Sequence, residues 1–382
     1  MNNFISTGCA AILLSCLPVA KSPKLEDLPK SANKVELIQD SSVCLVFAGD
    51  LMGHGPMISA AWSDSANSYD YVQWFQFISP YLSKADFSAA NLEVTLAGQP
   101  YSGYPQFSSP DEYAIAAQKN GIDLLFTANN HSQDRGKAGL ERTILTLDNL
   151  GIQHTGTFID TASRQLNYPY IIEIKGIKIA LMNYTYGTNG LAVSKPNVVN
   201  MIDMNQIKED FKSAKERGAH FFIPVMHWGT EYNTSENSEQ QRIASFLANE
   251  GASAIIGMHP HVVQPIKSIN QNNTAHDIPV AYSLGNFISN QRDINRDGGI
   301  LVKLEISQKN GTPELKTIQY LPFWVWRVLS DNTYINIKKG YYPITERQIG
   351  LLNVTDSISA SLFFKNVRQI LSESTEWPLE DY

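Results

Sequence analysis

Residues able to bind a metal or move a proton stand just past the ends of short apolar runs. Asp50 follows Val43-Cys44-Leu45-Val46-Phe47-Ala48, Asn91 and Glu93 follow Asp86-Phe87-Ser88-Ala89-Ala90, and the pair Asn130-His131 follows residues 122–127. His227 closes the run 221–226, His259 and His261 follow 252–256, and Asn286 follows 280–284. Carboxylate oxygens, imidazole nitrogens and amide oxygens together form the mixed hard and borderline donor set that suits Zn, Mn or Fe. Placed by chance, such residues would scatter over helix faces as well. Here they recur at one kind of position.

Each run reads as a strand, and the runs alternate with helical patterns. Residues 69–82, 110–120, 137–150 and 238–249 have helical periodicity, with Gly121 and Gly151 as stops. Asp203 can cap a helix running through Arg217. Two strands, 170–174 and 178–184, are joined by a tight Lys175-Gly176 turn. This alternation predicts an α/β layered fold, whose ligands bind where loops converge beyond the carboxyl ends of the strands. Residues 300–307 read as a closing edge strand and 357–371 as a terminal amphipathic helix docking on the body. The expected organisation is one large domain over 43–307 with a C-terminal extension, 308–382, packing on it.

The chain has 382 residues and a net charge of −7, from 30 Lys+Arg against 37 Asp+Glu. No cluster of basic residues suits phosphate backbones, so no nucleic-acid partner is expected. Three cysteines without a CxxC pair make neither a disulfide framework nor a zinc knuckle. Phosphate-loop, dinucleotide-turn, metalloprotease and nucleophile-elbow motifs are all missing. Residues 7–20 form an apolar run too short to span a bilayer. It reads as the core of an export signal (residues 1–20), followed by a polar linker (21–42). Leu13-Leu14-Ser15-Cys16 resembles a lipobox, so the expectation is an exported, cell-envelope protein, lipid-anchored through Cys16 or released by plain cleavage.

The motifs Ala48-Gly49-Asp50-Leu51-Met52, Asn91-Leu92-Glu93, Ala128-Asn129-Asn130-His131, His227-Trp228-Gly229, Gly257-Met258-His259-Pro260-His261 and Ser283-Leu284-Gly285-Asn286-Phe287 occur in the order seen in one family. By them the chain resembles the bacterial capsule synthesis protein A family (the PGA_cap domain), associated with poly-γ-glutamate capsule biosynthesis. The resemblance implies the layered α/β/β/α sandwich of calcineurin-like metallophosphoesterases and one or two divalent ions (Mn, Fe or Zn). It also implies roles: Asp50 and His261 on a first metal, Glu93 bridging, Asn130, His227 and His259 on a second, and His131 as general acid. A metal pair so held activates water and stabilises charge on an in-line transition state.

The first motif departs from the phosphoesterase Asp-x-His, since Leu51-Met52 follow Asp50 and the nearest histidine is His54. The second offers Asn91 and Glu93 where an Asp would bridge. The function implied is an exported capsule-biosynthesis protein with a metal-dependent, hydrolase-like centre. Its partners would be an anionic polymer or small anionic substrate, and membrane-bound capsule synthesis machinery. A general envelope metallophosphatase and a non-catalytic polymer-binding or export subunit are the competing readings.

Several residues stay open at this level. His54 is a ligand or a loop residue, Glu231 a metal-shell or substrate contact or a plain loop carboxylate, and Asn286 a ligand orienter or a turn residue. Asp134 most simply caps the following helix. Arg135, Lys195, Arg292 and Arg327 could receive an anionic substrate or be plainly solvated, and the run Phe323-Trp324-Val325-Trp326-Arg327 could cover the cleft, bind a polymer by stacking and charge, or pack the C-terminal segment on the main domain. His154, His220 and His276 lie outside the strand-end pattern and read as structural or surface residues.

Overall fold

Along Phe221–His227 side chains alternate between two apolar layers. Ile223 and Val225 join a core shared with Val46, Phe47, Leu125 and Leu304, whereas Phe222 and Met226 pack with Ile207, Phe211, Ile243 and Leu247. Ile179 and Leu181 against Ala180 and Met182 repeat the division on the neighbouring strand. The first core fills the space between the two sheets and continues onto the other face of the first sheet, since the successive strand residues Val46 and Phe47 both belong to it; the second lies between the second sheet and its covering helices, Met204–Glu216 and Ser238–Glu250. The result is the expected layered α/β sandwich. The computed structural model describes residues 42–270, 277–309 and 312–379. The residues expected to form an export signal with Cys16, the expected linker up to residue 41, and His276 lie outside the described residues.

The first sheet has the order Gly340–Ile344, Thr312–Val328, Gly298–Lys309, Val43–Leu51, Phe87–Leu92, Leu124–Phe126, Gln153–Thr155, with Asn286–Ile288 pairing Val43–Leu51 from the side. The second runs Ile266–Asn270, Asp277–Ala281, Ile255–Met258, Phe221–His227, Ile177–Thr185, Tyr170–Ile174. Val43–Leu51 is parallel to Phe87–Leu92, which is parallel to Leu124–Phe126. Phe221–His227 is likewise parallel to Ile255–Met258. The carboxyl ends that carry the candidate site residues therefore emerge together within each sheet.

Two expectations need correction. Residues 69–82 are not one helix: a 3₁₀ turn at Val72–Phe75 is followed by a separate short helix, Ser79–Ser83. Pro80 stands at its start, where a residue without an N–H is tolerated; a helix running through it would clash with the preceding turn. The second concerns 300–307, which is no closing edge. Gly298–Lys309 is flanked by Val43–Leu51 on one side and by the 17-residue Thr312–Val328 on the other. Pro313 and Pro322 disguise that long strand, because a residue with no donor argues against a ladder position. Residues 312–344 thus extend the main sheet, and Val354–Ile370 packs Phe363, Phe364 and Val367 onto the shared core.

Candidate metal centre

Register places the first donors. Asp50 pairs with Asn91 on one neighbour and with Asn286 on the other. The approach is close enough that a Cβ on Gly49 would lie 1.9 Å from the Gly285 carbonyl oxygen, so glycine is required beside Asp50. From the second sheet, His227 ends its strand beside Met258, and His259 and His261 follow. Both of the latter adopt left-handed backbone (φ 99° and 58°), costly for any residue with a Cβ and concentrated at functional sites. The His259 N–H donates to Asp50 Oδ2 at 3.3 Å, tying the two sheets together at this point.

Two buried donor groups result: Asp50, Glu93 and His261, and Glu93, His227 and His259, each with one donor atom per residue within 4.8 Å of the others. Glu93 belongs to both. Its Oε1 lies 3.6 Å from His227 Nε2 and 3.7 Å from His261 Nε2, and His261 Nδ1 lies 3.2 Å from Asp50 Oδ2. Asn130 Oδ1 is 2.8 Å from His227 Nε2, which adds an amide oxygen to the second group. Asn91 stands between the groups: its Nδ2 donates to Asp50 Oδ1 at 2.8 Å and to Glu93 Oε2 at 3.2 Å, and its Oδ1 accepts from Asn129 Nδ2 at 3.1 Å. Asn91 is thereby a positioner of both carboxylates.

The chemistry of this set fits divalent cations. Glu93 Oε1, His259 Nδ1 and His261 Nδ1 are buried without a hydrogen bond, and such atoms are costly unless something completes them. Burial, and then the neighbouring Asp50 charge, push the Glu93 carboxyl well above its ordinary pKa. Burial, then the other histidines, hold His227 well below its ordinary pKa and His259 down at about 3. Neutral imidazoles beside crowded carboxylates are what a cation recruits, and its charge would relieve the carboxylate repulsion.

His131 sits beside this set with its own supports. Its Nδ1 is 2.8 Å from Asp134 Oδ2, which also accepts the Phe107 N–H at 2.7 Å; its backbone N–H donates to Asn129 Oδ1 at 3.1 Å. The Phe107 ring packs edge-on to the imidazole with centroids 4.7 Å apart. Asp134 is therefore not a helix cap, and the helix Gly136–Leu150 starts without a side-chain cap. The three-residue spacing from His131 was the available signal, but the spacing of a cap looks the same.

The remaining candidates divide. Asn286 donates to the His261 carbonyl at 3.3 Å, Gln291 Oε1 at 3.1 Å and the Arg296 carbonyl at 2.8 Å, so its amide braces the backbone behind His261. His54 lies outside both donor groups, packs on Phe107 and is held by burial down at about 4. Glu231 is exposed at the rim, close enough to Glu93, Tyr186 and Tyr232 to raise their pKa values. Arg135 bonds Ser102 Oγ and Lys195 lies exposed on a loop. Arg292 and Arg327 line a separate groove. His154 pairs with Asp148, and His220 is exposed. Sequence reading missed two rim tyrosines: Tyr186, stacked on His227 and 4.6 Å from His259, and Tyr232, 6.1 Å from His261. Both stand on loops whose course the residue pattern does not specify.

Buried carboxylates and histidines delivered by two facing sheets form two candidate metal-binding groups on an α/β sandwich. The chain belongs to the bacterial capsule synthesis protein PGA_cap family, whose model matches residues 44–291. It is 27% identical over 290 residues to the PGA biosynthesis protein CapA of Bacillus subtilis (strain 168), covering 73% of this chain and 71% of that protein. It is 26% identical over 297 residues to the capsule biosynthesis protein CapA of Bacillus anthracis, covering 73% and 67%. Among solved structures it is similar to the calcineurin-like phosphoesterase YfkN from Bacillus subtilis, with 14% identity, a TM-score of 0.46, and 74% and 91% of the two chains covered.

Proposed function

We propose that the chain is a metal-dependent hydrolase of capsule biosynthesis that acts on an anionic polymer of the poly-γ-glutamate type. The observation that carries this reading is Glu93, shared by two buried donor groups beside the His131–Asp134 pair. Asp50 and His261 would hold one ion and Asn130, His227 and His259 the other. Bound divalent ions in such a set polarise the scissile group and lower the pKa of water.

The chain's own residues do the rest. Asn91 fixes the Asp50 and Glu93 carboxylates by donating to both. Asp134 accepts from His131 Nδ1, which leaves Nε2 to hold a proton for the departing group. Tyr186 and Tyr232 wall the histidines and reduce access of bulk water. Export and work beside membrane-bound synthesis machinery belong to the same proposal, supported by the apolar run 7–20. Among the described residues no helix is long and apolar enough to cross a membrane.

The test is metal content of the purified protein by elemental mass spectrometry, beside a His259→Ala, His261→Ala double variant, followed by assays on phosphoester and γ-glutamyl amide substrates. The expected result is roughly one to two equivalents of Mn, Fe or Zn, lost in the variant, with cleavage of the γ-glutamyl amide. Bound metal with both substrate classes untouched would overturn the hydrolase reading and leave a binding or export subunit.

A further inference from the structure

Asn130 brings an amide to the second donor group, and an amide has two ends of nearly one shape and opposite chemistry. Its oxygen accepts or coordinates, whereas its nitrogen only donates. Oδ1 is the end that faces His227 Nε2, at 2.8 Å. Turned over about its last torsion, Asn130 would fill the same space and point its N–H bonds at a cation. His227 does not prevent this, because a neutral imidazole nitrogen donates in one tautomer and accepts in the other. Something beyond the donor group must keep the oxygen inward.

Asn189 holds the other end. The buried Asn130 donates Nδ2 to Asn189 Oδ1 at 3.2 Å. Asn189 stands in the loop 186–190, which follows Ile177–Thr185 of the second sheet, and Asn130 follows Leu124–Phe126 of the first. The contact therefore crosses between the sheets. Asn91 is oriented by the same device: Asn129 Nδ2 donates to its Oδ1, which leaves its Nδ2 for the Asp50 and Glu93 carboxylates.

The loop is tied to the donor group at more than one point. Thr185, the last residue of its strand, is in register with His227, and the Tyr186 N–H donates to the His227 carbonyl at 3.0 Å. The Tyr186 ring lies 4.6 Å from that of His259. Thr185 Oγ1 donates to the Gly187 carbonyl at 3.0 Å and Thr188 Oγ1 to the Leu191 carbonyl at 2.6 Å, so the loop braces itself. Asn189 then takes left-handed backbone (φ 50°), which asparagine tolerates better than most residues, and Gly190 continues it (φ 75°). Asn189 is itself exposed, so removing its side chain leaves no buried hole.

We propose that Asn189 is a positioning residue of the second donor group. By holding the Asn130 amide nitrogen it commits Asn130 Oδ1 to the cation, and so sets the affinity of one ion without touching it. The proposal rests on the two-ion reading above, but its test reads binding rather than cleavage.

Full-length protein stripped by chelation is titrated with Mn²⁺, the unbound ion being read by electron paramagnetic resonance, for wild type, Asn189→Gly and Asn189→Asp. Glycine keeps the left-handed backbone and removes the acceptor, whereas aspartate keeps the acceptor. Losing the partner of a ligand predicts that Asn189→Gly binds one of two equivalents about 10- to 100-fold more weakly and the other as in wild type, with Asn189→Asp close to wild type. The same Asn189→Gly change is then made in Asn130→Asp. A carboxylate has an oxygen at both ends, so the difference should vanish there, which a merely structural loss would not allow. Equal titrations of wild type and Asn189→Gly, each taking up two equivalents, overturn the proposal and leave the metal centre standing. Weakening of both equivalents alike, or an effect of Asn189→Gly that persists in Asn130→Asp, makes Asn189 a fold residue and overturns the proposal too. A wild type that takes up fewer than two equivalents overturns the two-ion reading and this proposal with it.

Discussion

Two buried polar clusters flank the second sheet, and they are finished to different degrees. Around Arg164 every strong group has a partner: its guanidinium takes Asp210 with both terminal nitrogens at 3.1 and 2.7 Å, and its Nε donates to Asn200 Oδ1 at 2.6 Å. Tyr184 donates to the same Asp210 at 2.8 Å. Around Glu93 the cluster holds two carboxylates and three imidazoles, no guanidinium or ammonium, and three orphaned atoms. The first is closed in charge and hydrogen bonds, and so is structural. The second is completed only by something the chain does not supply. Burial of polar groups does not by itself mark a site; burial left incomplete does.

The sharpest way to break this contrast is Glu93→Gln. The amide keeps the shape but removes the charge shared by both donor groups. Activity should fall on the order of a thousandfold, about 4 kcal/mol in barrier, with metal content lost in parallel. Stability of the metal-free protein should not fall, because an uncompensated buried carboxylate has been removed. Urea unfolding after chelation reads the second half, and a clear loss of stability there would mean that Glu93 is structural after all.

Asp210→Ala should behave in the opposite way. It leaves the partly buried Arg164 guanidinium without its carboxylate, which costs about 3 kcal/mol of stability. Metal content should be untouched in whatever fraction folds. Chelation of the wild type comes next in size. With free metal at about 100 times its dissociation constant, removing it should cost about 2.7 kcal/mol, seen as a lower Tm. The Glu93→Gln protein should show no such shift, and a matching shift would place the metal elsewhere.

How much of this was visible in the residues follows from what positions each one. Asp50, His227, His259 and His261 each follow an apolar run, and period-two burial turns such runs into strands whose ends converge. Those four were legible because the backbone ladder alone delivers them. Asn91 was legible as a polar residue but not as the brace of two carboxylates, which needs the register Asp50–Asn91. The break in 69–82 was signalled by Pro80 and outweighed by periodicity. The strand Thr312–Val328 was hidden by two prolines. Tyr186, Tyr232 and Arg296 stand on loops, where side-chain placement depends on contacts far apart in sequence.

Asp134 is the instructive case, and it carries the smallest of the effects. A carboxylate three residues after a histidine and two before a helix fits a cap and a proton-relay partner equally well. The choice is made by Phe107, a residue far away in sequence whose N–H claims Asp134 Oδ2 and so turns the carboxylate toward His131. Asp134→Asn should keep the fold, since the amide oxygen can still accept from Phe107. It should slow turnover by about 10- to 100-fold because His131 loses its tautomer control. The loss should be large for a substrate whose leaving group is strongly basic, and small for one such as p-nitrophenolate that departs without a proton. Equal losses on both substrates would make Asp134 a fold residue like Asp210, and would move the pair with His131 to the closed side of the comparison.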